Sequence, residues 1–164
     1  SDRSAAVLWG DGTTAAILST KVPSRIEVLG NSLASSPAGY DKVTIPHFSH
    51  FVQEGRTVQM FAIKKTIRVL RQLRKEHESD GRPFHFVGHQ ANLRMLETVC
   101  RQADIDDDRH HHNVVDYGNT GAAGAPGVVS MNWDAWQPGD DVAIVGVGSG
   151  LTWSGYVMRF GDAA

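Results

Sequence analysis

The sequence predicts an α/β domain built on a mixed sheet with helices on its faces. Apolar runs of strand length alternate with longer stretches of helical periodicity. Breaks containing glycine or proline separate them. The chain closes on two strand-like runs joined by Gly148-Ser149-Gly150, the pattern of a terminal hairpin. Its 164 residues fit one ordinary domain with a real core. Hydrophobic residues at 41% and charged residues at 21% exclude a disordered tail.

The elements follow in order. Residues 5–9 are a short apolar run, then come Gly10-Asp11-Gly12 and the apolar, β-branched residues 13–20. A turn between two apolar runs reads as a hairpin of buried strands. Residues 25–30 alternate and read as a strand. Residues 31–50, mixed with Gly, Pro and Ser, read as surface loop. The longest helical signal covers residues 56–77. Met60, Ile63, Ile67, Leu70 and Leu73 fall on one arc, and Lys64, Lys65, Arg68, Arg71 and Lys75 on the other. Residues 79–83 end that helix. Phe84–Gly88 reads as a strand. Residues 92–103 read as a second helix with Leu93, Leu96 and Cys100 on one side, and residues 113–116 as a third strand. Residues 118–127 are dense in Gly and Ala, with a helix over 128–136 packed closely against them. Pro138-Gly139-Asp140 is a turn, residues 142–147 a buried strand and residues 151–160 the last strand.

Charge and composition narrow the function classes. Lys plus Arg total 16 and Asp plus Glu 18, a net charge of -2, so no generalised nucleic-acid-binding surface is expected. No apolar run approaches the ~18–20 residues of a membrane span, and no membrane association is expected. The single Cys100 excludes an intrachain disulfide framework and a thiolate zinc site, which makes a cytoplasmic location the default. The start at Ser1 rather than Met points to a processed or partial chain.

Gly10-Asp11-Gly12-Thr13-Thr14-Ala15 matches a loose G-x-G-x-x-A pattern, but a dinucleotide site needs a helix to follow, and a β-like run follows instead. Gly146-Val147-Gly148-Ser149-Gly150 is not a G-x-S-x-G nucleophile elbow. It is either a plain hairpin turn or an uncrowded backbone whose amides face an oxyanion. In His110-His111-His112, neighbours on a strand point to opposite faces, so at most two share an ion. A solvated edge is the better reading, and no metal site is expected. His47, His50, His77 and His85 have no partner in the sequence. His89 differs, because it sits at the carboxyl end of a strand, where α/β sheets bind ligands. Asn119 occupies an equivalent place. An imidazole and an amide together donate two hydrogen bonds to a carbonyl oxygen, although each alone also reads as a satisfied structural group.

These residues closely resemble the C-terminal half of the β-ketoacyl-acyl carrier protein synthase III family of the thiolase superfamily. His89-Gln90-Ala91-Asn92-Leu93-Arg94 resembles that family's His-Gln-Ala-Asn-x-Arg signature, and Gly118-Asn119-Thr120-Gly121-Ala122-Ala123 its Gly-Asn-Thr-Ser-Ala-Ala motif. The spacing of 30 between His89 and Asn119 fits. Gly10-Asp11-Gly12 resembles the Phe-Gly-Asp-Gly hairpin, and residues 148–153 the closing Gly-Gly-Gly-Phe-Thr-Trp run. The similarity runs nearly end to end.

The resemblance implies a βαβαβαββ thiolase-like half with a mixed five-stranded sheet over residues 21–164, preceded by hairpin strands at 1–20 that belong to the other half. It implies a 3-oxoacyl-acyl carrier protein synthase III of fatty acid biosynthesis, an acyltransferase condensing acyl-CoA with malonyl-acyl carrier protein. The nucleophilic Cys would lie in a missing N-terminal half, so this chain alone would be inactive, and the complete enzyme a homodimer without cofactors. His89 and Asn119 would polarise the malonyl thioester carbonyl, and the backbone amide of Ser149 would serve the other oxyanion hole. Asn92 and Gly55 would line the pantetheine tunnel. Arg94, with Lys64, Lys65 and Arg68, would dock the acidic carrier protein, although a solvated helix face explains those cations equally. Arg56 and Gln59 depart from the family's usual residues beside the tunnel. Two rival readings are a non-catalytic acyl-carrier or acyl-CoA binding partner and a ketosynthase of secondary metabolism.

Overall fold

The computed structural model describes residues 6–78 and 81–162. Ala5 at the start of the first apolar run, and Ser79 and Asp80 after the long helix, lie outside them. Among the described residues six strands form: β1 (Ile26–Ser35), β2 (Val43–Thr44), β3 (Val52–Gln53), β4 (Phe84–Gly88), β5 (Asp141–Gly148) and β6 (Thr152–Phe160). The α-helices described are α1 (Gly55–His77), α2 (Leu93–Ala103), α3 (Val114–Tyr117) and α4 (Gly124–Met131). The main sheet has the order β1-β6-β5-β4. β4 runs parallel to β5, while β6 is antiparallel to both β5 and β1. β2 and β3 pair as a small separate hairpin.

The central strand β5 is apolar on both faces because both are covered. α1 and α2 cover one face, packing Leu70, Leu73, Leu96 and Val99 against Phe86, Val145 and Val157. At Gly155 the approach of α1 is so close that a Cβ would stand 2.6 Å from Val69 Cγ1. α4 covers part of the other face with Val128 and Val129, beside Trp136, Val142 and Phe160. A single 8-residue helix leaves that face incompletely covered, and Val28 is 50% exposed there.

The fold class stands as expected, with corrections of detail. Four strands form the main sheet among the described residues, and the fifth position holds only an isolated parallel bridge between Phe86 and His110. The expected strand at 113–116 is the helical turn α3. The buried Gln90 side chain accepts from the amides of Asn113 and Val114, so those amides do not seek a strand neighbour. The helix expected at 128–136 starts earlier, at Gly124, and ends at Met131. β1 continues to Ser35, five residues further than its alternation suggested, because β6 supplies a partner along its length. The loop expected over 31–50 therefore holds the end of β1, a 3-10 turn at Pro37–Gly39, and β2.

The hairpin expected within residues 1–20 is not formed among the described residues. Trp9 makes one parallel bridge to Asn119, and residues 10–19 run without strand pairing. Ile17 and Leu18 are 95% and 84% exposed. A lone two-stranded hairpin is marginal in water, and no free sheet edge meets this segment. On α1 the buried stripe is Ala62, Thr66, Ile67, Val69, Leu70 and Leu73, which includes the expected Ile67, Leu70 and Leu73 but not Met60, which is exposed.

Candidate active site

A cleft of about 810 Å³ opens where the parallel strands β4 and β5 end. Its walls include the loop after β4, the α3–α4 segment, the β5–β6 turn, the first turns of α1 and the β2–β3 hairpin. Ligands of open α/β sheets bind beyond the carboxyl ends of strands for the same reason: the loops diverge there and leave a crevice. Trp9 stacks edge-on against Phe51, with ring centroids 5.1 Å apart, and adds a further wall.

His89 leaves the end of β4 and lines this cleft. It is half-buried, and burial alone lowers its pKa, so the neutral imidazole persists below the usual histidine range. A neutral ring offers one N–H donor to a ligand.

Asn119 reaches the same cleft from the other side. Gly118 ends α3 at φ 67, a left-handed turn that suits glycine. The Asn119 backbone is then held twice: its amide donates to Leu8 at 3.1 Å, and its carbonyl accepts from Gly10 at 3.0 Å. Its side-chain Oδ1 accepts from the Gly121 amide at 3.0 Å. With the oxygen committed, the Nδ2 group is what remains to donate into the cleft.

Gly55 and Ser149 also line the cleft. A Cβ at Gly55 would meet no atom within 4 Å, so packing inside this chain does not demand glycine there. Ser149 opens the 3-10 turn before β6, and Gly150 completes the turn at φ 91. Gln59 lines the cleft, whereas Arg56 is exposed outside its lining. Asn92 is in the cleft wall and caps α2, its Oδ1 accepting from Met95 at 3.1 Å. An Asn immediately before a helix is a sequence-level cap signal, and its Nδ2 stays available.

The expected cationic group does not stay together. Arg94 is exposed on the first turn of α2, outside the cleft lining. Lys64 and Arg68 border a separate shallow groove on α1 with Met60, Ile63, Ile67 and Arg71. Lys65 turns elsewhere: its Nζ lies 3.9 Å from the centre of the Trp153 ring and 5.3 Å from that of Phe61. Successive helical residues diverge by about 100°, and Lys65 falls on the side toward β6.

Cys100 is buried on α2 and is absent from the cleft wall; burial pushes its thiol up to about 11. Sequence reasoning missed the partners of His85. Its Nδ1 lies 2.9 Å from His111 Nε2, and its Nε2 lies 3.2 Å from an Arg109 nitrogen and 3.5 Å from Asp140 Oδ1. Arg109 and His111 come from one segment 24 and 26 residues from His85, and Asp140 from another, so no local spacing announces them. Among the described residues, no group of three or more His, Cys, Asp or Glu side chains is placed to hold a metal ion. No helix there is long and apolar enough to cross a membrane.

Residues 83–160 match the family described as the C-terminal part of 3-oxoacyl-[acyl-carrier-protein] synthase III. A β-ketoacyl-[acyl-carrier-protein] synthase III of Oceanobacillus iheyensis is 30% identical over 98% of this chain and 52% of its own length. One from Clostridioides difficile is 32% identical over 97% of this chain and 53% of its own length. The chain thus spans about half the length of the curated relatives it matches. Among solved structures, 3-oxoacyl-(acyl carrier protein) synthase III of Pseudomonas aeruginosa aligns with a TM-score of 0.82 at 26% identity, over 99% of this chain and 54% of that one. The synthase III of Thermus thermophilus aligns at 0.83 and 26%, over 99% and 55%. The sheet order and the cleft at the ends of β4 and β5 define a thiolase-like α/β half. Within that class the chain is similar to the C-terminal part of β-ketoacyl-[acyl-carrier-protein] synthase III proteins.

Proposed function

We propose that this chain is the C-terminal part of a condensing acyltransferase of fatty acid biosynthesis, joining acyl-CoA to malonyl-acyl carrier protein. The observation that carries this reading is the convergence of His89 and Asn119, from separate elements, on one cleft with free N–H donors. Two such donors suit a thioester carbonyl on its way to an enolate. When the malonyl C–C bond breaks, carbon dioxide leaves and its electron pair enters the enolate, whose oxygen His89 and Asn119 hold. The α-carbon then attacks the acyl thioester. A C–C bond forms, and the C–S bond breaks to release the enzyme thiolate. That thiolate belongs to a cysteine outside this sequence, since Cys100 is buried away from the cleft. The Ser149 amide serves the oxyanion of that second step.

Asn92 Nδ2 and the open backbone at Gly55 suit the pantetheine arm. Arg94 suits the acidic carrier protein, with Lys64 and Arg68 further along the surface, and Lys65 acts instead as a brace on Trp153. Residues 1–20, with Ile17 and Leu18 exposed, pack against the N-terminal half in this reading, while residues 21–164 form the C-terminal domain. The complete enzyme is a cytoplasmic homodimer that uses neither metal nor organic cofactor, and neither nucleic acid nor membrane is a partner.

The test is decarboxylation of malonyl-acyl carrier protein by the complete enzyme containing this chain. His89→Ala should slow it by roughly a hundredfold to a thousandfold, as expected for an oxyanion donor. Parent-rate decarboxylation in that variant would overturn the reading. The absence of a cleft thiol in this sequence favours one alternative, a non-catalytic acyl-carrier binding partner. Tight carrier binding without turnover by the complete protein would select it.

A further inference from the structure

We propose that Gln90 is a positioning residue that sets the distance between His89 and Asn119. The inference rests on the reading of those two residues as carbonyl-binding donors. Gln90 directly follows His89, yet its side chain is fully buried and is not part of the cleft wall. Its Nε2 donates to the Gly88 carbonyl at 2.7 Å, tying the amide back to the end of β4. Its Oε1 accepts from the Asn113 amide at 2.8 Å and from the Val114 amide at 3.2 Å.

Those two amides open α3, the turn whose end delivers Asn119. One side chain therefore joins the strand end that carries His89 to the turn that carries Asn119. α4 presses on the same joint, because a Cβ at Gly124 would stand 2.7 Å from Gln90 Cβ. The bonds to Gly88 and Asn113 are buried, so leaving either unmade is costly and the geometry is specified rather than averaged. At neutral pH a primary amide meets the demand and a carboxylate does not. It must donate at one end and accept twice at the other, and a carboxylate cannot donate. A protonated carboxylic acid can, which gives the test its second arm.

The experiment compares Gln90→Leu, Gln90→Glu and His89→Ala in the complete enzyme containing this chain, reading acyl loading and malonyl decarboxylation separately. His89→Ala is the control for the underlying reading; if it decarboxylates at the parent rate, that reading fails independently of Gln90. Given its loss, Gln90→Leu should lower the decarboxylation kcat by roughly a hundredfold, the scale of an ångström's misplacement. Its KM for the malonyl thioester should change little, and the fraction of enzyme acylated should stay near parent. Gln90→Glu should recover toward acidic pH as the side chain gains its proton, a profile absent from the parent and from Gln90→Leu. Equal losses of acyl loading and decarboxylation in Gln90→Leu, tracking the folded fraction, would mean a purely structural role. Parent-like decarboxylation in Gln90→Leu, or a Gln90→Glu profile that follows the parent, would also overturn the proposal.

Discussion

The Oδ1 of Asn119 accepts the Gly121 amide at 3.0 Å, so in this cleft-lining residue the side-chain oxygen serves the loop and the side-chain nitrogen is left to donate. This division of one amide predicts that Asn119→Asp keeps the loop bond but loses the donor. The new carboxylate would also repel a developing enolate. Malonyl decarboxylation by the complete enzyme should fall by at least the ~2.7–4 kcal/mol of a lost oxyanion donor. Acyl loading should persist. Decarboxylation within threefold of the parent rate would remove Asn119 from the site.

Gly55 predicts opposite effects on stability and binding. It starts α1 without a left-handed φ, and a Cβ there meets nothing in this chain. Gly55→Ala should therefore stabilise the fold by about 0.4–1 kcal/mol by restricting the unfolded chain. It should also raise the KM for pantetheine-linked thioesters, because the methyl group enters the cleft. Thermal unfolding and steady-state kinetics on one preparation check both signs.

The buried imidazoles predict acid sensitivity. Burial, reinforced by neighbouring imidazoles, lowers His110 and His111 from 6.5 to about 4. Between those values the unfolded chain holds protons that the folded chain does not, so stability falls as pH drops from about 6.5 to about 4. Above that window the contribution is fully present. His111→Gln removes one titrating partner and should flatten the slope of unfolding free energy against pH. Parallel curves for parent and variant would refute the assignment.

Arg159 and Asp141 form a bidentate pair at 2.7 Å for both bonds, and Asp141 is fully buried. Arg159→Met strands that carboxylate and should cost about 3 kcal/mol in urea unfolding. Asp141→Asn in the same background should restore part of the loss, because the neutral amide needs no counter-charge.

His89 was legible because a polar residue follows a buried apolar run and precedes a helix, a local pattern. Asn119 was legible from its glycine-bordered motif, although the element before it is a helical turn and not a strand. The spread of the cations was not legible. Lys64 and Lys65 are adjacent in sequence, yet only the packing of α1 on β6 sends one to the groove and the other onto Trp153. The His85–His111–Asp140 contacts were equally hidden, since 26 residues separate the two histidines and another strand supplies their neighbourhood.

By itself the sequence determined the α/β class, the strands at Phe84–Gly88 and 142–147, the long helix, and the two residue types lining the cleft. The elements and His89 follow from periodicity and strand-end position, which are local properties of the chain, whereas Asn119 follows from its motif, since a helical turn precedes it. Tertiary structure alone decided that residues 10–19 find no strand partner and that residues 113–116 coil into a turn around Gln90. It also decided that the Asn119 side-chain oxygen accepts from the Gly121 amide in the loop. Each outcome depends on which distant group satisfies a backbone or side-chain hydrogen bond, and only the folded arrangement brings those groups within 3 Å or so of one another.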